Sequence, residues 1–243
     1  MVKNIIKLVI DGEEHSFSED HKNFIGPKKK YTIKEFQEEK LKSIKNFVAL
    51  REGTVFGFSD EEEFDKWLVK KNLYEEHNKH KKRLKKVLET KRPSEEWEKI
   101  NQNLIKEEKK ATTRFKNFLK KHNLEPGQHE LIREKIKEDF DPYLPPKLNT
   151  MYLYEHIFYG GSFISLKGGY IYCGKNYPKY YPDLRNFNFN DKTSSVDFNC
   201  GSRAYVYEHI NFGGNSVWLW GPYYPFLLFV GLDNKISSAV VYG

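Results

Sequence analysis

The chain writes one unit twice. Tyr154 to Leu166 reads YEHIFYGGSFISL, and Tyr207 to Leu219 reads YEHINFGGNSVWL. Each copy leads to a second shared stretch, NDKTSS at Asn190–Ser195 and DNKISS at Asp233–Ser238. Tyr152 and Tyr154, Val217 and Leu219, and Val240 and Tyr242 stand two apart, as half-buried strands require. Glycines and prolines between these runs supply turns. One copy alone could not bury its apolar face. The repeat therefore predicts two copies of about four strands each, packed as a sandwich around a shared core.

The copies differ in length. Tyr154 to Asn190 spans 36 positions, and Tyr207 to Asp233 spans 26. The extra residues fall in GGYIYCGKNYPKYYPDL, a tyrosine-rich stretch. It reads as a tolerated surface loop, or as a binding loop, because tyrosines give contact area at low entropy cost.

Composition separates this part from the rest. Of the 243 residues, 1–150 hold 34 Lys+Arg against 28 Asp+Glu, whereas 151–243 hold 7 against 6. The aromatics run the other way, with 23 of 38 after residue 150. This double shift predicts two domains. Three prolines in DPYLPPKLNT (141–150) mark the joint. The expected layout is a basic, mainly helical domain over 1–142, a Pro-rich linker over 143–150 and a β domain over 151–243, with repeats at about 151–199 and 204–243. Cys173 and Cys200 are too few for a disulfide framework, though one bridge between them is open. The opening MVKNIIKLVIDGEE lacks a long apolar core and a small-residue cleavage site. YYPFLLFVGL is too short to span a bilayer. A cytoplasmic protein without a transmembrane segment is expected.

The first half reads as α+β, mostly helical, with two small hairpins. IIKLVI, the turn Asp11–Gly12 and HSFS form the first hairpin. Residues 46–58, NFVAL-REG-TVFGF, form the second. Thr32–Glu35 has capping-box spacing and predicts a helix to about Lys45; Ser59–Glu62 predicts another through FDKWLVKK. Further helices are expected over about 73–90, about 95–122 with Ser94 as N-cap, and about 129–140 after the EPG turn at Glu125–Gly127. His77 and His80 share a helix face, but their surroundings are lysines, which repel a metal ion, so a structural role is the plainer reading. HELIRE at His129 lacks the second histidine of a zinc-peptidase helix. KHKKRLKK (79–86) could track phosphates or an anionic surface, or could simply be a solvated face balanced by glutamates. It lacks the interleaved aromatics that single strands favour, so no nucleic-acid partner is expected. Nothing in residues 1–150 resembles a known family.

The repeat does resemble one. Tyr154-x4-Tyr159-x-Gly161 and Tyr207-x4-Phe212-x-Gly214 match the aromatic corner of the βγ-crystallin family. Its glycine has a physical reason, since the folded hairpin needs a positive φ there. NDKTSS and DNKISS match the same family's calcium motif. The resemblance covers residues 151–243 and implies a βγ-crystallin-like sandwich of two Greek keys. It also implies two Ca²⁺ ions. In the family the third motif position gives a carbonyl and the fifth a hydroxyl. The second reaches across to the other repeat's site, and a hairpin carbonyl adds a fourth oxygen. Carried over, one site takes the Glu155 and Lys192 carbonyls, the Ser194 hydroxyl and the Asn234 side chain. The other takes the Glu208 and Lys235 carbonyls, the Ser237 hydroxyl and the Asp191 carboxylate. Each lysine then offers only its carbonyl and points its ammonium at water. Ca²⁺ wants roughly six to eight oxygens, so waters fill the remainder. The Asp191 site holds the formal anion and should bind more tightly. With so few charged ligands the affinity should be about 10⁻⁵ to 10⁻³ M. The plain alternative is that these Asn, Asp and Ser side chains only form turns.

No nucleophile–base–orienter set can be assembled in the repeat. His156 and His209 occupy equivalent hairpin positions and read as structural. The expectation is a non-enzymatic calcium-binding protein whose β domain calcium stabilises. Two alternatives stand beside it. One is an interaction, inhibitor or toxin-like protein on the same scaffold, with a protein partner for the helical half. The other is an anionic-surface or nucleic-acid binder working through the basic helices.

Overall fold

In the computed structural model the described residues are 7–18, 22–50, 54–89, 95–125, 128, 131–132, 134–135, 150–172, 175–199, 202–221 and 223–243. The first hairpin forms as expected. β1 (Lys7–Ile10) and β2 (Glu13–Phe17) turn through Asp11 and Gly12, both at positive φ. β3 (Asn23–Ile25) and β4 (Lys30–Thr32) extend it. Thr32 closes a capping box with Glu35 on α1 (Ile33–Phe36). That helix is shorter than expected. After one turn it widens into a π turn, Gln37–Leu41, with Phe36 and Leu41 both buried. The second hairpin is β5 (Asn46–Ala49) and β6 (Thr54–Phe58).

Asp60, not Ser59, caps α2 (Glu61–Lys70), accepting from the Glu63 N–H. Ser59 is held elsewhere, because its N–H and hydroxyl both donate to the Asp11 carboxylate. α3 (Tyr74–Glu89) and α4 (Glu95–Lys121) match the expected spans. The proposed Ser94 cap, the EPG turn after Glu125, most of the 129–140 helix, most of the 143–150 linker and the Cys173–Cys200 pair lie outside the described residues.

The repeat supplies β7 (Thr150–Tyr154), β8 (Phe163–Lys167), β9 (Tyr170–Tyr172), β10 (Lys175–Tyr177), β11 (Lys179–Tyr181), β12 (Ser195–Asn199), β13 (Arg203–His209), β14 (Gly213–Trp220), β15 (Tyr223–Tyr224) and β16 (Ser238–Tyr242). One sheet has the order β15-β12-β7-β8, and a second, ten-stranded sheet runs β11-β16-β13-β14-β5-β6-β1-β2-β3-β4. β9 and β10, from the tyrosine-rich insertion, form their own ribbon. Each repeat lends a strand to the other, since β15 pairs with β12 and β11 pairs with β16. The larger sheet crosses from one compositional half to the other. β14 pairs in parallel with β5, Ser216 opposite Asn46 through Leu219 opposite Ala49.

The strands are buried more fully than a half-exposed sandwich predicts. β7 and β16 are buried at every position. On β13, Ala204 and Val206 face the core between the sheets, which also holds Met151, Leu153, Phe198, Leu8 and Phe24. Tyr205 and Tyr207 alternate to the outer face and meet Phe64 and Leu68 of α2. On the other sheet Tyr152, Tyr154 and Phe163 meet Phe115, Phe118 and Leu119 of α4. Over β7, β8, β13 and β16 the helices cover the outer face, so no exposed polar face remains there, whereas β1, β3 and β4 keep exposed positions. Among the described residues no helix is long and apolar enough to cross a membrane.

Candidate metal centre

The two hairpin corners are built alike. Tyr154 stands edge-on to Tyr159 with centroids 5.6 Å apart, and Tyr207 stands edge-on to Phe212 at 5.6 Å. Gly161 has φ +74° and Gly214 +73°. A Cβ at Gly161 would come 2.7 Å from His156 Cδ2, and one at Gly214 would come 2.9 Å from His209 Cδ2. Both histidines therefore pack on their glycines, in keeping with a structural role.

The last serine of each motif pins its corner. Ser195 Oγ donates to the His156 carbonyl at 2.6 Å and accepts from the Tyr159 N–H at 3.0 Å. Ser238 Oγ does the same with the His209 carbonyl at 2.6 Å and the Phe212 N–H at 3.0 Å. Sequence reasoning gave these serines no task of their own. The signal was available, because both copies keep a hydroxyl at that position.

The preceding serine faces the other repeat. Ser194 Oγ donates to Asn234 Oδ1 at 3.2 Å, and Ser237 Oγ donates to Asp191 Oδ1 at 2.8 Å. The backbones cross as well: the Asn234 N–H donates to the Thr193 carbonyl at 2.9 Å, and the Asp191 N–H to the Ile236 carbonyl at 3.1 Å. Asp191 and Asn234 both take the left-handed conformation, with φ of 53° and 52°. Asn and Asp tolerate that region better than other side-chain-bearing residues.

The hairpin carbonyls lie beside these pairs. The Ser194 N–H donates to the Tyr154 carbonyl and the Ser237 N–H to the Tyr207 carbonyl, each at 2.9 Å. Glu155 is thus flanked by residues whose carbonyls bind Ser194 and Ser195, and Glu208 by residues whose carbonyls bind Ser237 and Ser238. Ser237 Oγ also lies 3.5 Å from the Lys235 carbonyl. Lys192 and Lys235 are exposed, with the Lys235 ammonium 3.9 Å from the Glu208 carboxylate. Hydrogen bonds from Ser162 hold the Glu155 carboxyl below its ordinary range.

The donor set fits a hard cation. The hydroxyl–carboxamide pair Ser194–Asn234 and the hydroxyl–carboxylate pair Ser237–Asp191 are oxygen donors within 3.2 Å of each other. Buried Asn190 Oδ1, Thr193 Oγ1 and Asp233 Oδ1 have no hydrogen-bond partner. Asn190 and Asp233 hold the same motif position, so this surplus of oxygen is duplicated too. Among the described residues no group of three or more His, Cys, Asp or Glu could hold a metal ion. A site here would depend on main-chain, hydroxyl and carboxamide oxygens, with the Asp191 carboxylate in one of the pair.

A second polar cluster joins the halves. His80 Nδ1 and Nε2 lie 2.6 Å from the Tyr242 and Tyr207 hydroxyls, and His77 Nδ1 lies 3.0 Å from the Tyr205 hydroxyl. The His80 ring stacks on Tyr205 at 3.6 Å. Burial lowers His77 to about 4 and His80 to about 3. A neutral imidazole has one donor and one acceptor, so one tyrosine donates to His80 and the other accepts from it. Arg203 adds a 2.7 Å ion pair to Glu76 of α3.

No family model and no curated relative matches the chain. Solved βγ-crystallin domains do. An archaeal βγ-crystallin is 29% identical, with 38% of this chain covering 95% of that one at a TM-score of 0.30. A double mutant of a Clostridium beijerinckii βγ-crystallin domain is 30% identical over 38% of this chain and 96% of its own, at a TM-score of 0.30. A βγ-crystallin from Ciona intestinalis is 26% identical over 37% and 95%, also at 0.30. Over about two-fifths of its length this chain is similar to βγ-crystallin domains.

Proposed function

We infer that residues 151–243 form two Greek keys that jointly hold two calcium ions, and that the protein is a non-enzymatic calcium-binding protein. The single observation that carries this reading is the crossing of the motifs, Ser194 to Asn234 and Ser237 to Asp191. Two turns serving only themselves would not present the second residue of one motif to the fifth of the other. Ser194, Asn234 and the Glu155 and Lys192 carbonyls hold one ion. Ser237, Asp191 and the Glu208 and Lys235 carbonyls hold the other. Bound calcium supplies positive charge that relieves the packed oxygens and ties the two repeats together. Asp233 and Asn190 offer further oxygen to each loop.

At about 100 times the dissociation constant, each ion adds about 2.7 kcal/mol to the folded state. The test is thermal unfolding in millimolar calcium and in chelator, with calorimetric titration of the ion. Two ions per chain and a raised Tm are expected. An unchanged Tm with no heat of binding would leave the motifs as turns and overturn the reading.

A further inference from the structure

The first hairpin ends in two exposed apolar residues, Ile157 at 47% and Phe158 at 53%. Phe158 lies in the left-handed region with φ 55°. The second hairpin places Asn211 at the equivalent position, also at φ 55°. Asparagine adopts that conformation readily, whereas an aromatic residue does so at a cost. The ring is nevertheless held in place. It meets Phe226 edge-on at 4.4 Å, and the Phe158 N–H donates to the Pro225 carbonyl at 3.0 Å. The sister corner takes the same backbone conformation with asparagine.

The charge around this hairpin is positive. Lys116 and Lys120 of α4 line a groove with His156 and Gly161 at the hairpin's base. Glu155 is the carboxylate on that groove, and it accepts from the Ser162 N–H at 3.3 Å. The ligand set of the adjacent site, Glu155, Lys192, Ser194 and Asn234, contains carbonyl, hydroxyl and carboxamide oxygens and no ligating carboxylate. Asp233 sets a carboxylate beside Asn234 without being one of those four ligands, and an ion there has coordination positions to spare. The other site neutralises part of its ion with Asp191 and sits under a tip that ends in Asn211. The apolar tip and the site whose four ligands include no carboxylate therefore coincide in the first repeat.

We propose that the Ile157–Phe158 tip is a calcium-dependent docking point for an anionic lipid bilayer. The two side chains enter the boundary between headgroups and acyl chains, while Lys116, Lys120 and the ion meet anionic headgroups. The proposal rests on the calcium reading above.

The test is cosedimentation of the full chain with vesicles of phosphatidylcholine holding about 30% phosphatidylserine, in calcium and in chelator. Calorimetric calcium titration and thermal unfolding accompany it. The wild type should bind these vesicles in calcium, release in chelator, and ignore pure phosphatidylcholine. Phe158→Asn should keep its calcium stoichiometry and melting temperature and lose about tenfold in vesicle affinity, from the loss of one partly buried aromatic ring. Equal vesicle binding by Phe158→Asn overturns the proposal. So does calcium uptake without vesicle binding, which leaves the calcium reading standing. Absence of calcium uptake overturns both. Lipid-free self-association that Phe158→Asn abolishes would assign the tip to a second copy of this chain instead.

Discussion

Glu108→Gln should make the protein more stable above neutral pH. Glu108 lies on α4 with no exposed surface. Its Oε1 accepts from the Tyr181 hydroxyl at 3.3 Å and stands 3.9 Å from Lys179 Nζ, while Oε2 has no hydrogen-bond partner. Burial outweighs the pull of Lys179 and Lys167 and raises the carboxyl from 4.5 to about 7. Below pH 4.5 the folded and unfolded chains both hold the proton. Between about 4.5 and 7 the unfolded chain has released it and the folded chain has not, so stability falls as pH rises. Above 7 the folded state carries a penalty of about 3 kcal/mol. Glutamine keeps an acceptor for Tyr181 and never ionises. His77 and His80 titrate in the opposite sense across part of this range, but they do so in both proteins. The difference between variant and wild type therefore isolates Glu108. Urea unfolding should give equal stabilities near pH 4.5 and a variant more stable by about 3 kcal/mol at pH 8, or roughly 6–12 °C in Tm. A difference that stays flat across that window would refute the argument that Glu108 is forced to ionise in a dry site.

Asp191→Ala should weaken the Asp191 site far more than the Asn234 site in a calcium titration, and equal loss at both would show the ligands wrongly assigned. Ser195→Ala and Ser238→Ala should each cost about 2–3 kcal/mol in denaturant unfolding, because each removes two hydrogen bonds from a folded corner. The two losses should match, and a large inequality would mean that the corners are not mechanically equivalent. Acid should loosen α3 from the sheet. His77 and His80 are held neutral below the ordinary 6.5, so their contribution is intact above that value and is lost as pH falls through about 4 and about 3. Hydrogen exchange along α3 should rise in that window while exchange on α4 lags. Simultaneous loosening of both helices would contradict this.

What was legible in the sequence is what local chain geometry writes. The aromatic corners, their glycines and the crossing motifs all sit inside short repeated segments, and the structure places them as pairs. The hairpin turn at Asp11–Gly12 and the Thr32 capping box are local too. What was hidden lies between distant segments. The parallel β5–β14 pairing needs no tight turn and leaves no mark in either strand. His77 and His80 find their tyrosines 127 to 162 residues away, and a lysine-rich helix gives no hint of an aromatic partner. Ser59 fits a capping box as well as Asp60 does until Asp11, 48 residues earlier in the chain, takes its hydrogen bonds. Glu108 is one glutamate among many in a helical run, and only the packing of β11 under α4 makes it dry.

The burial of both sheet faces explains how the two halves act on one another. Tyr152 and Tyr205 are equivalent positions of the repeat, as are Tyr154 and Tyr207, yet they are covered by different chemistry. The first pair lies under the phenylalanines of α4, and the second lies under the imidazoles of α3. Tyr154 and Tyr207 then do two jobs each. Their carbonyls bind Ser194 and Ser237 in the candidate calcium loops, and their rings are the surface on which the helices rest. A shift of either backbone that tightens a loop also moves the ring beneath a helix. The hydroxyl of Tyr207, 2.6 Å from His80 Nε2, makes that link a directional hydrogen bond in the second repeat. In the first repeat the Tyr154 ring packs with Phe115, Phe118 and Leu119 of α4, and Thr112 of that helix hydrogen-bonds Ser165 of β8. If the loops hold calcium as proposed, ion occupancy and helix docking would share two residues, Tyr154 and Tyr207.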